Sequence, residues 1–347
     1  MSDEQKLWTF KEHADKVKLD LVLNEEDPEE KFVTYEELIG YFNDGIDDAE
    51  AEITNLHEDY FLTSDYVPLQ VGVSEYAMPR NIYANKLRGI VYANGSIIYP
   101  VKKFRTRNKF ESIAVSKQFS QSDYYRYFLT NDAPGQRRFV LDPPSRETAV
   151  LPPLPVTFTP MQRWYIRQAN RIPLPGEYTN PEDVLPAAVN IGTDVISVAP
   201  LVPYVTGDKV KLKANSGGLP APLSQNTVYY AIRVSDNEVK LASSLANAKA
   251  GTSIDLTTQG TGFHTLRVAA TTAIIDATII DIPEFAAFLQ QYVKVQILDK
   301  DVGDPRLAKA AAQLKQQREQ MIDTLTNMEP DNDDEVEPDL SHYEEMS

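Results

Sequence analysis

The sequence contains no cysteine, only four histidines, and no apolar run long enough to span a bilayer. The absence of cysteine excludes disulfide bonds, thiolate nucleophiles and zinc sites with cysteine ligands, and it suits assembly in a reducing cytosol. Because a membrane-spanning helix needs roughly 20 apolar residues, we expect no membrane association. The amino-terminal stretch "MSDEQKLWTFKEHADKVKLDLVL" is charged throughout, which is not the pattern of a secretory signal.

The sequence contains residue types that act in catalysis, but they do not occur at the spacings of the known catalytic motifs considered below. The one zinc-like stretch begins at His57, and Phe61 occupies the position where a second histidine ligand would stand. Neither glycine-rich stretch, "SGGLP" or "GTGFHT", has the Lys-Ser/Thr of a phosphate loop. We therefore expect a protein that is not an enzyme, with no catalytic residues, no metal site and no cofactor. A glycosidase-like carboxylate pair stays open, because nothing selects one pair among 51 acids.

Charge is distributed unevenly along the chain. The net charge is −17, yet residues 60–175 contain sixteen Lys/Arg and seven Asp/Glu, a local net of +9 that leaves −26 for the rest. Segregation of this kind favours stacking of copies, with the basic part of one against the acidic part of the next. The alternative is an acidic protein with one solvated basic face.

The densest basic stretch is "KKFRTRNK" at residues 102–109. Clustered cations around an aromatic residue could touch nucleic acid phosphates, but the stretch also has the form of an exposed hairpin end that meets an acidic neighbour. We favour the neighbour, either another copy or another protein. The predicted contact residues are Lys102, Lys103, Arg105, Arg107 and Lys109.

The first strong helical pattern begins at Thr34, with Glu37 at the spacing of a capping box. Apolar residues then recur at steps of three and four on one stripe. Gly40 and Gly45 weaken this helix prediction only modestly. The predicted stripe consists of Leu38, Phe42, Ile46, Ala49, Ile53, Leu56 and Tyr60.

From about residue 65 the pattern changes to short strands and turns, with a hairpin signal at Asn94-Gly95. This region predicts a β-sandwich or small barrel. A second, Gly- and Ser-richer strand region follows. Helical patterns return at Pro283, first as a helix that is apolar on two faces and must lie between others. A last helix follows, capped by Asp304, with a stripe at Leu307, Ala311, Leu314, Arg318, Met321, Leu325 and Met328.

The predicted fold class is α+β. One long amino-terminal helix and two carboxy-terminal helices form a helical bundle, which carries an inserted β-sandwich or barrel and a second small all-β insertion. The predicted parts are an amino-terminal arm (1–33), the bundle (34–64 and 280–329), the sandwich or barrel (65–185), the second β domain (186–272) and an extended acidic tail (330–347).

Four stretches, in the order given, resemble head–tail adaptor (connector) proteins of tailed bacteriophages, including adaptors of the tail-tubular type. They are "TYEELIGYFNDGIDDAEAEITNLHEDYFLT", "GVSEYAMPRNIYANKLRGIVYANGSIIYPVKKF", "RRFVLDPPS" with "QRWYIRQANRIPLPG", and "DIPEFAAFLQQYVKVQILDKDVGDPRLAKAAAQLKQQREQM". Residues 190–268 depart from that pattern and resemble a small β module of phage structural and tail proteins.

The resemblance implies a non-enzymatic virion protein, made in the host cytoplasm and located in the neck between capsid and tail. It implies a homo-oligomeric ring, of twelve copies in the family, that docks beneath the portal protein and above the next tail or nozzle protein. DNA would pass through the channel without sequence-specific binding. The alternative is a tail adhesin or decoration protein whose second β domain binds a host glycan or another virion protein.

The last residues suggest where the portal would bind. After Pro330 the chain is acidic and has too little apolar content to fold alone, and extended it could reach on the order of 60 Å. In adaptors of the resembling kind, such segments reach onto the portal. The predicted portal-binding residues are Leu340 and Tyr343 as anchors, together with His342, Asp333, Asp334 and Glu335, and the acids from Asp331 to Glu337 would lie opposite basic residues. The alternative is a free solubilising tail.

Overall fold

The structure is a computed structural model with mixed α and β content. It describes residues 7–21, 33–67, 69, 74–79, 81–94, 97–103, 125–133, 136–142, 144, 161–184, 186–198, 200, 202–214, 217–261, 264–301 and 304–327. Two compact units form. We call Met1–Trp8, Glu12–Phe61 and Asp281–Ser347 the helical unit, and Thr9–Lys11 and Leu62–Ile280 the sheet unit.

The described α-helices are α1 (Phe10–Leu21), α2 (Tyr35–Leu56), α3 (Leu245–Lys249), α4 (Thr272–Asp276), α5 (Ala286–Asp299) and α6 (Arg306–Asn327). The described strands are β1 (Trp8–Thr9), β2 (Leu62–Tyr66), β3 (Glu75–Ala77), β4 (Ile82–Asn94), β5 (Ile97–Pro100), β6 (Lys102–Lys103), β7 (Arg126–Ala133), β8 (Gln136–Asp142), β9 (Met161–Arg167), β10 (Tyr178–Val184), β11 (Val189–Asn190), β12 (Val195–Ser197), β13 (Lys209–Ala214), β14 (Val228–Ser235), β15 (Glu238–Ala242), β16 (His264–Ala269) and β17 (Ile279–Ile280).

Helix α2 begins with the capping box that the sequence predicts. The Thr34 hydroxyl accepts a hydrogen bond from the Glu37 backbone N–H, and the Glu37 carboxylate accepts one from the Thr34 N–H. Glu37 also accepts from Lys300 Nζ at 2.9 Å, and these hydrogen bonds, that from Lys300 first, lower the pKa of its carboxyl. The predicted stripe is buried as far as Ile53, but Leu56 is exposed. The helix therefore begins and packs as its local sequence specifies.

Helix α5 packs against both α2 and α6, which also contact each other. It buries apolar side chains on more than one side, and it also buries two amides, Gln290 and Gln291. Gln291 Nε2 donates to the Ala310 carbonyl of α6 at 2.9 Å, and Gln290 Nε2 lies 3.1 Å from His13 Nδ1 of α1. Because an unpaired buried amide costs about 1–3 kcal/mol, these two contacts favour one register of the helices.

Helix α6 follows a stripe that differs from the predicted one. Ala310 is buried where the sequence pattern placed Ala311, which is exposed. Arg318 is also exposed, and its guanidinium contacts Glu52 at 2.5 Å and Asp48 at 3.5 Å. The pattern misplaced these residues because two stripes with steps of three and four fit this sequence, and the one that is buried or half-buried runs through Ala310, Leu314, Gln317 and Met321. Met328 lies outside the described residues.

The first part of the sheet unit consists of two open four-stranded sheets, ordered β2-β9-β4-β5 and β3-β8-β7-β6. The β4–β5 pairing, with Asn94 opposite Ile97, confirms the predicted hairpin. Residues from both sheets share one core, so the sheets pack face to face as a sandwich, and the barrel alternative is not what forms. The core consists of Val67, Leu69, Tyr76, Met78, Ile90, Tyr92, Val101, Tyr125, Tyr127, Phe139, Leu141 and Met161.

A buried arginine contributes to the sandwich interior. The Arg163 guanidinium makes two hydrogen bonds to the Asp65 carboxylate, at 2.6 and 2.5 Å, across the β2–β9 pair. It also lies 5.6 Å from the ring centre of Phe139 in the other sheet. The Arg163 side chain is 7% exposed and that of Asp65 is 34% exposed. The ion pair thus links strands β2 and β9 while its cation contacts the facing sheet.

The second part of the sheet unit is a seven-stranded sheet ordered β10-β16-β13-β14-β15-β12-β11, antiparallel at every described pairing. Its core includes Val210, Leu212, Tyr229 and Leu266. A further two-stranded sheet joins β1 and β17, and the Phe10 N–H donates to the Thr278 carbonyl. Side chains on the face of the seven-stranded sheet opposite its core are therefore candidates for contact with a ligand or partner.

The two glycines of α2 should respond differently to alanine. A Cβ at residue 40 would meet no heavy atom within 4 Å, whereas one at residue 45 would lie 3.0 Å from Cδ1 of Tyr292. Gly40→Ala is expected to raise the free energy of unfolding by about 0.5–1 kcal/mol, because alanine has the higher helix propensity. Gly45→Ala is expected to gain less or to destabilise. Chemical denaturation measures both, and equal gains would contradict the close α2–α5 contact.

Breaking the buried ion pair should destabilise the sandwich. Asp65→Asn removes the negative charge that accepts two hydrogen bonds from the buried Arg163 guanidinium, and we expect a loss of about 2–3 kcal/mol in the free energy of unfolding. Fully buried pairs lose ~3–5 kcal/mol, and partial exposure of Asp65 reduces this. The matched control is Glu75→Gln, which breaks the 3.0 Å pair with Arg138, whose side chains are 48% and 42% exposed. It should cost under about 0.5 kcal/mol, and equal losses would refute a special role for Arg163.

Candidate interaction surfaces

The described part of the predicted basic stretch is the edge strand β6. Lys102 and Lys103 are both exposed and pair in parallel with Arg126 and Tyr127 of β7. Arg105, Arg107 and Lys109 lie outside the described residues. Lysines on an edge strand discourage further strand pairing, and they also present cations to an acidic neighbour. The contact role of these five residues stays a prediction.

The packing behind β6 holds this edge in place. Val101 is buried, and its N–H donates to the Ile90 carbonyl at 2.7 Å. Farther across the sheet, Arg126 stands opposite Asp142. Burial raises the pKa of the Asp142 carboxyl, and the charge of Arg126 acts in the opposite direction. The edge is therefore supported by a buried valine, and the charged residues Lys102, Arg126 and Asp142 stand next to one another across strands β6, β7 and β8.

A second basic surface, which the sequence analysis did not identify, lies on the seven-stranded sheet. We call it the basic sheet face. Along each strand its cations alternate with buried core residues, so they lie on the opposite face of the sheet. Lys211 of β13 pairs with Arg267 of β16. The period-two alternation in "DKVKLKA" is the sequence signal that could have revealed it. The face consists of Lys209, Lys211, Lys213, Lys240 and Arg267.

Two tyrosines share the basic sheet face. Lys211 Nζ lies 4.2 Å from the ring centre of Tyr178 on β10, a distance at which a cation is attracted to an aromatic face. Tyr230 stands opposite Lys209 in the β13–β14 register. Burial, and then the neighbouring Tyr230, raise the pKa of the Tyr178 hydroxyl. The face therefore combines cations with aromatic surface.

The predicted portal-binding residues, Leu340, His342, Tyr343, Asp333, Asp334 and Glu335, all lie outside the described residues, and their role stays a prediction. What the structure describes is the helix that precedes them, α6, which ends at Asn327. That helix is anchored by buried Met321 and Leu325 and by the ion pairs of Arg318. The segment therefore follows a helix that is well held within the helical unit.

The histidines of the described chain occupy separate environments. His13 and His264 are buried, whereas His57 follows the last turn of α2. Both ring nitrogens of His264 are buried with no hydrogen-bond partner among the described residues. In the ranges that the structure covers, no three His, Asp or Glu side chains lie close enough to hold a metal ion. No helix in those ranges is long and apolar enough to cross a membrane.

Comparison with known proteins gives little to build on. No protein-family model matches the chain, and no curated protein matches it. Among solved structures, the D1-D2-D3 domains of the flagellar cap protein FliD from Escherichia coli align over 80% of this chain and 74% of that chain. The sequence identity is 10% and the TM-score 0.15. A likeness this weak carries no argument, so a functional proposal rests on the sequence patterns and surfaces of this chain.

Buried His264 should make stability depend on pH. Its burial lowers the pKa of the imidazole below the ordinary 6.5, so between those two pKa values the unfolded chain binds more protons than the folded one. Stability is then fully present above about pH 6.5 and falls as the pH drops toward the folded-state pKa. Thermal unfolding from pH 7 to pH 5 should reveal this loss. His264→Leu should flatten it and His57→Gln should not; a slope unchanged in His264→Leu would contradict the assignment.

Proposed function

We propose that this chain is a structural head–tail adaptor of a tailed bacteriophage. Copies of it form a ring, of twelve subunits in the resembling family, that docks beneath the portal protein and above the next tail or nozzle protein. DNA passes through the channel without sequence-specific binding, and the chain has no enzymatic role. Its place is the neck of the virion, after synthesis in the host cytoplasm.

The observation that carries this proposal is the order in which the chain builds its two units. Residues 12–61 and the segment after residue 280 belong to the helical unit. Residues 62–280, which lie between them in the sequence, belong to the sheet unit. In the proposed architecture the helical unit is the bundle of the adaptor, the sandwich is its first β insertion, and the seven-stranded sheet is a second, separable module. The four resembling stretches fall on these same parts in the same order.

The edge strand β6 and the carboxy-terminal segment are the proposed contacts with the neighbouring subunit and the portal. The edge lysines Lys102 and Lys103 would meet an acidic face of the neighbouring subunit, together with the basic residues that follow them. Charge segregation along the chain favours such side-by-side stacking, because opposite potentials steer association and fix its register. The carboxy-terminal segment, which follows α6, would reach the portal through Leu340 and Tyr343.

The basic sheet face supports the second candidate, a tail adhesin or decoration protein. An open sheet surface with five cations and two tyrosines is suited to an anionic ligand or partner. The two candidates differ in assembly state. An adaptor forms rings and caps the portal, whereas an adhesin binds cells as a small oligomer.

The test is to mix the purified chain with its cognate portal protein and to examine the product by light scattering and negative-stain imaging. We expect portal-capped rings. Leu340→Ala/Tyr343→Ala should abolish portal binding while leaving the thermal midpoint unchanged, because hydrophobic anchors dominate such interfaces. Leu19→Ala, at a leucine that is 77% exposed on α1, is the matched control and should leave binding intact.

A chain that ends at Pro330 provides the stricter form of the test. It should keep its fold and lose portal binding. Normal portal joining by this truncated chain would refute the role of the segment. Monomers or trimers that bind cells and ignore the portal would refute the adaptor function itself.

A further inference from the structure

Within the described residues, the basic sheet face carries more cations than acids. In the described part of the chain, none of Lys209, Lys211, Lys213, Lys240 and Arg267 forms an ion pair with a carboxylate. Two acids hold strand positions on the same face. Glu238 accepts a hydrogen bond from the Ser235 hydroxyl at 3.3 Å, and Asp183 stands opposite Thr265 in the β10–β16 register. Five cations against two acids leave a positive surface on a protein of net charge −17.

The lysines of β13 form a ladder with a fixed spacing. Lys209, Lys211 and Lys213 alternate with buried Val210 and Leu212. Because a strand rises about 3.3 Å per residue, neighbouring lysines of this ladder project from the sheet roughly 7 Å apart. A partner that carries carboxylates at the same spacing would match all three.

One segment of this chain has that spacing. The final nineteen residues contain nine acids and no Lys or Arg. Five of the acids occupy alternate positions: Asp331, Asp333, Glu335, Glu337 and Asp339. In an extended peptide, alternate side chains project to the same side at about 7 Å intervals. Pro330 and Pro338 favour extended backbone in the residues before them, so the segment suits this conformation.

We propose that the basic sheet face binds residues 331–339 of this chain in an extended conformation, with the alternating acids facing the lysine ladder of β13. The surrounding cations, Lys240 and Arg267, would meet the remaining acids of the segment, and Tyr178 and Tyr230 would contact its apolar atoms. The inference concerns the protein alone and does not depend on the proposed function. In that function the portal would compete with the face for the same segment.

The segment is favoured over other polyanions because every copy of the protein carries it. A covalently linked or assembled partner acts at an effective concentration that free ligands seldom reach. A single-stranded nucleic acid also has phosphates at strand-like intervals, and it serves as the competing occupant in the test.

The experiment titrates a fluorescent peptide of residues 329–347 into the full-length chain and follows its anisotropy. The chain used as host has its own five alternating acids changed to Asn or Gln, so that its own segment does not compete. We expect saturable binding at about 50 mM salt that weakens tenfold or more at about 0.3 M, because exposed charge pairs are screened.

Matched variants of the host localise the binding. Lys209→Glu/Lys211→Glu should weaken it about tenfold or more. Lys309→Glu/Lys315→Glu, the same charge change on exposed positions of α6, should leave it within about twofold. If the reversed charges disturb folding, as judged by circular dichroism, Lys209→Gln/Lys211→Gln provides the same comparison without introducing acids.

A peptide in which residues 331–339 are rearranged to "DDNDEVPED" tests the spacing. It keeps every charge, but no three of its acids in that stretch occupy successive alternate positions, so it should bind several-fold more weakly. Equal binding by this peptide would overturn the proposed extended register. Absence of binding at low salt, or equal losses in the two pairs of variants, would overturn the site. Tighter binding of single-stranded oligothymidine, lost with the same lysines, would overturn the choice of occupant.

Discussion

The contact between the buried side chains of His13 and Gln290 joins positions 277 residues apart, and the helical unit depends on contacts of this length. Tyr60 donates to Glu284, Lys300 to Glu37, and Arg318 to Glu52. Each contact connects a residue before the sheet unit with one after it. Each of these contacts closes a loop of more than two hundred residues, and the entropy cost of closing a loop grows only slowly with its length. A few buried apolar stripes and paired amides are therefore enough to hold the helical unit together.

The two units solve the problem of buried polar groups in different ways. In the helical unit, buried Gln290 and Gln291 each contact one neighbouring helix and thereby favour one register. In the sandwich, Arg163 pairs with Asp65 on the adjacent strand while it contacts Phe139 in the facing sheet. His264 has no such partner among the described residues. Its protonation at low pH is therefore expected to destabilise the seven-stranded sheet.

The sequence predicted correctly those features that depend on residues close together in the chain. The capping box at Thr34, the stripe of α2 from Leu38 to Ile53 and the hairpin after Asn94 are confirmed. The stripe of α6 was wrong at Ala311 because Ala310 fits a stripe with the same steps, and alanine at both positions gives no sequence signal that favours one over the other. Helix α1 was not predicted, although Phe10, Ala14, Val17 and Leu21 recur at helical spacing and are buried. The inward position of Arg163 depends on how two sheets face each other, which no single strand reveals.

The placement of the helical unit at both ends of the chain also has a consequence for synthesis. Helix α2 leaves the ribosome long before its partner α5 exists, because Tyr60 and Glu284 are 224 residues apart. At typical rates of 5–20 residues per second, that interval lasts about 10–45 s. Throughout it, the apolar stripe of α2 is exposed on a nascent chain. Translation therefore exposes an apolar surface that the completed fold buries.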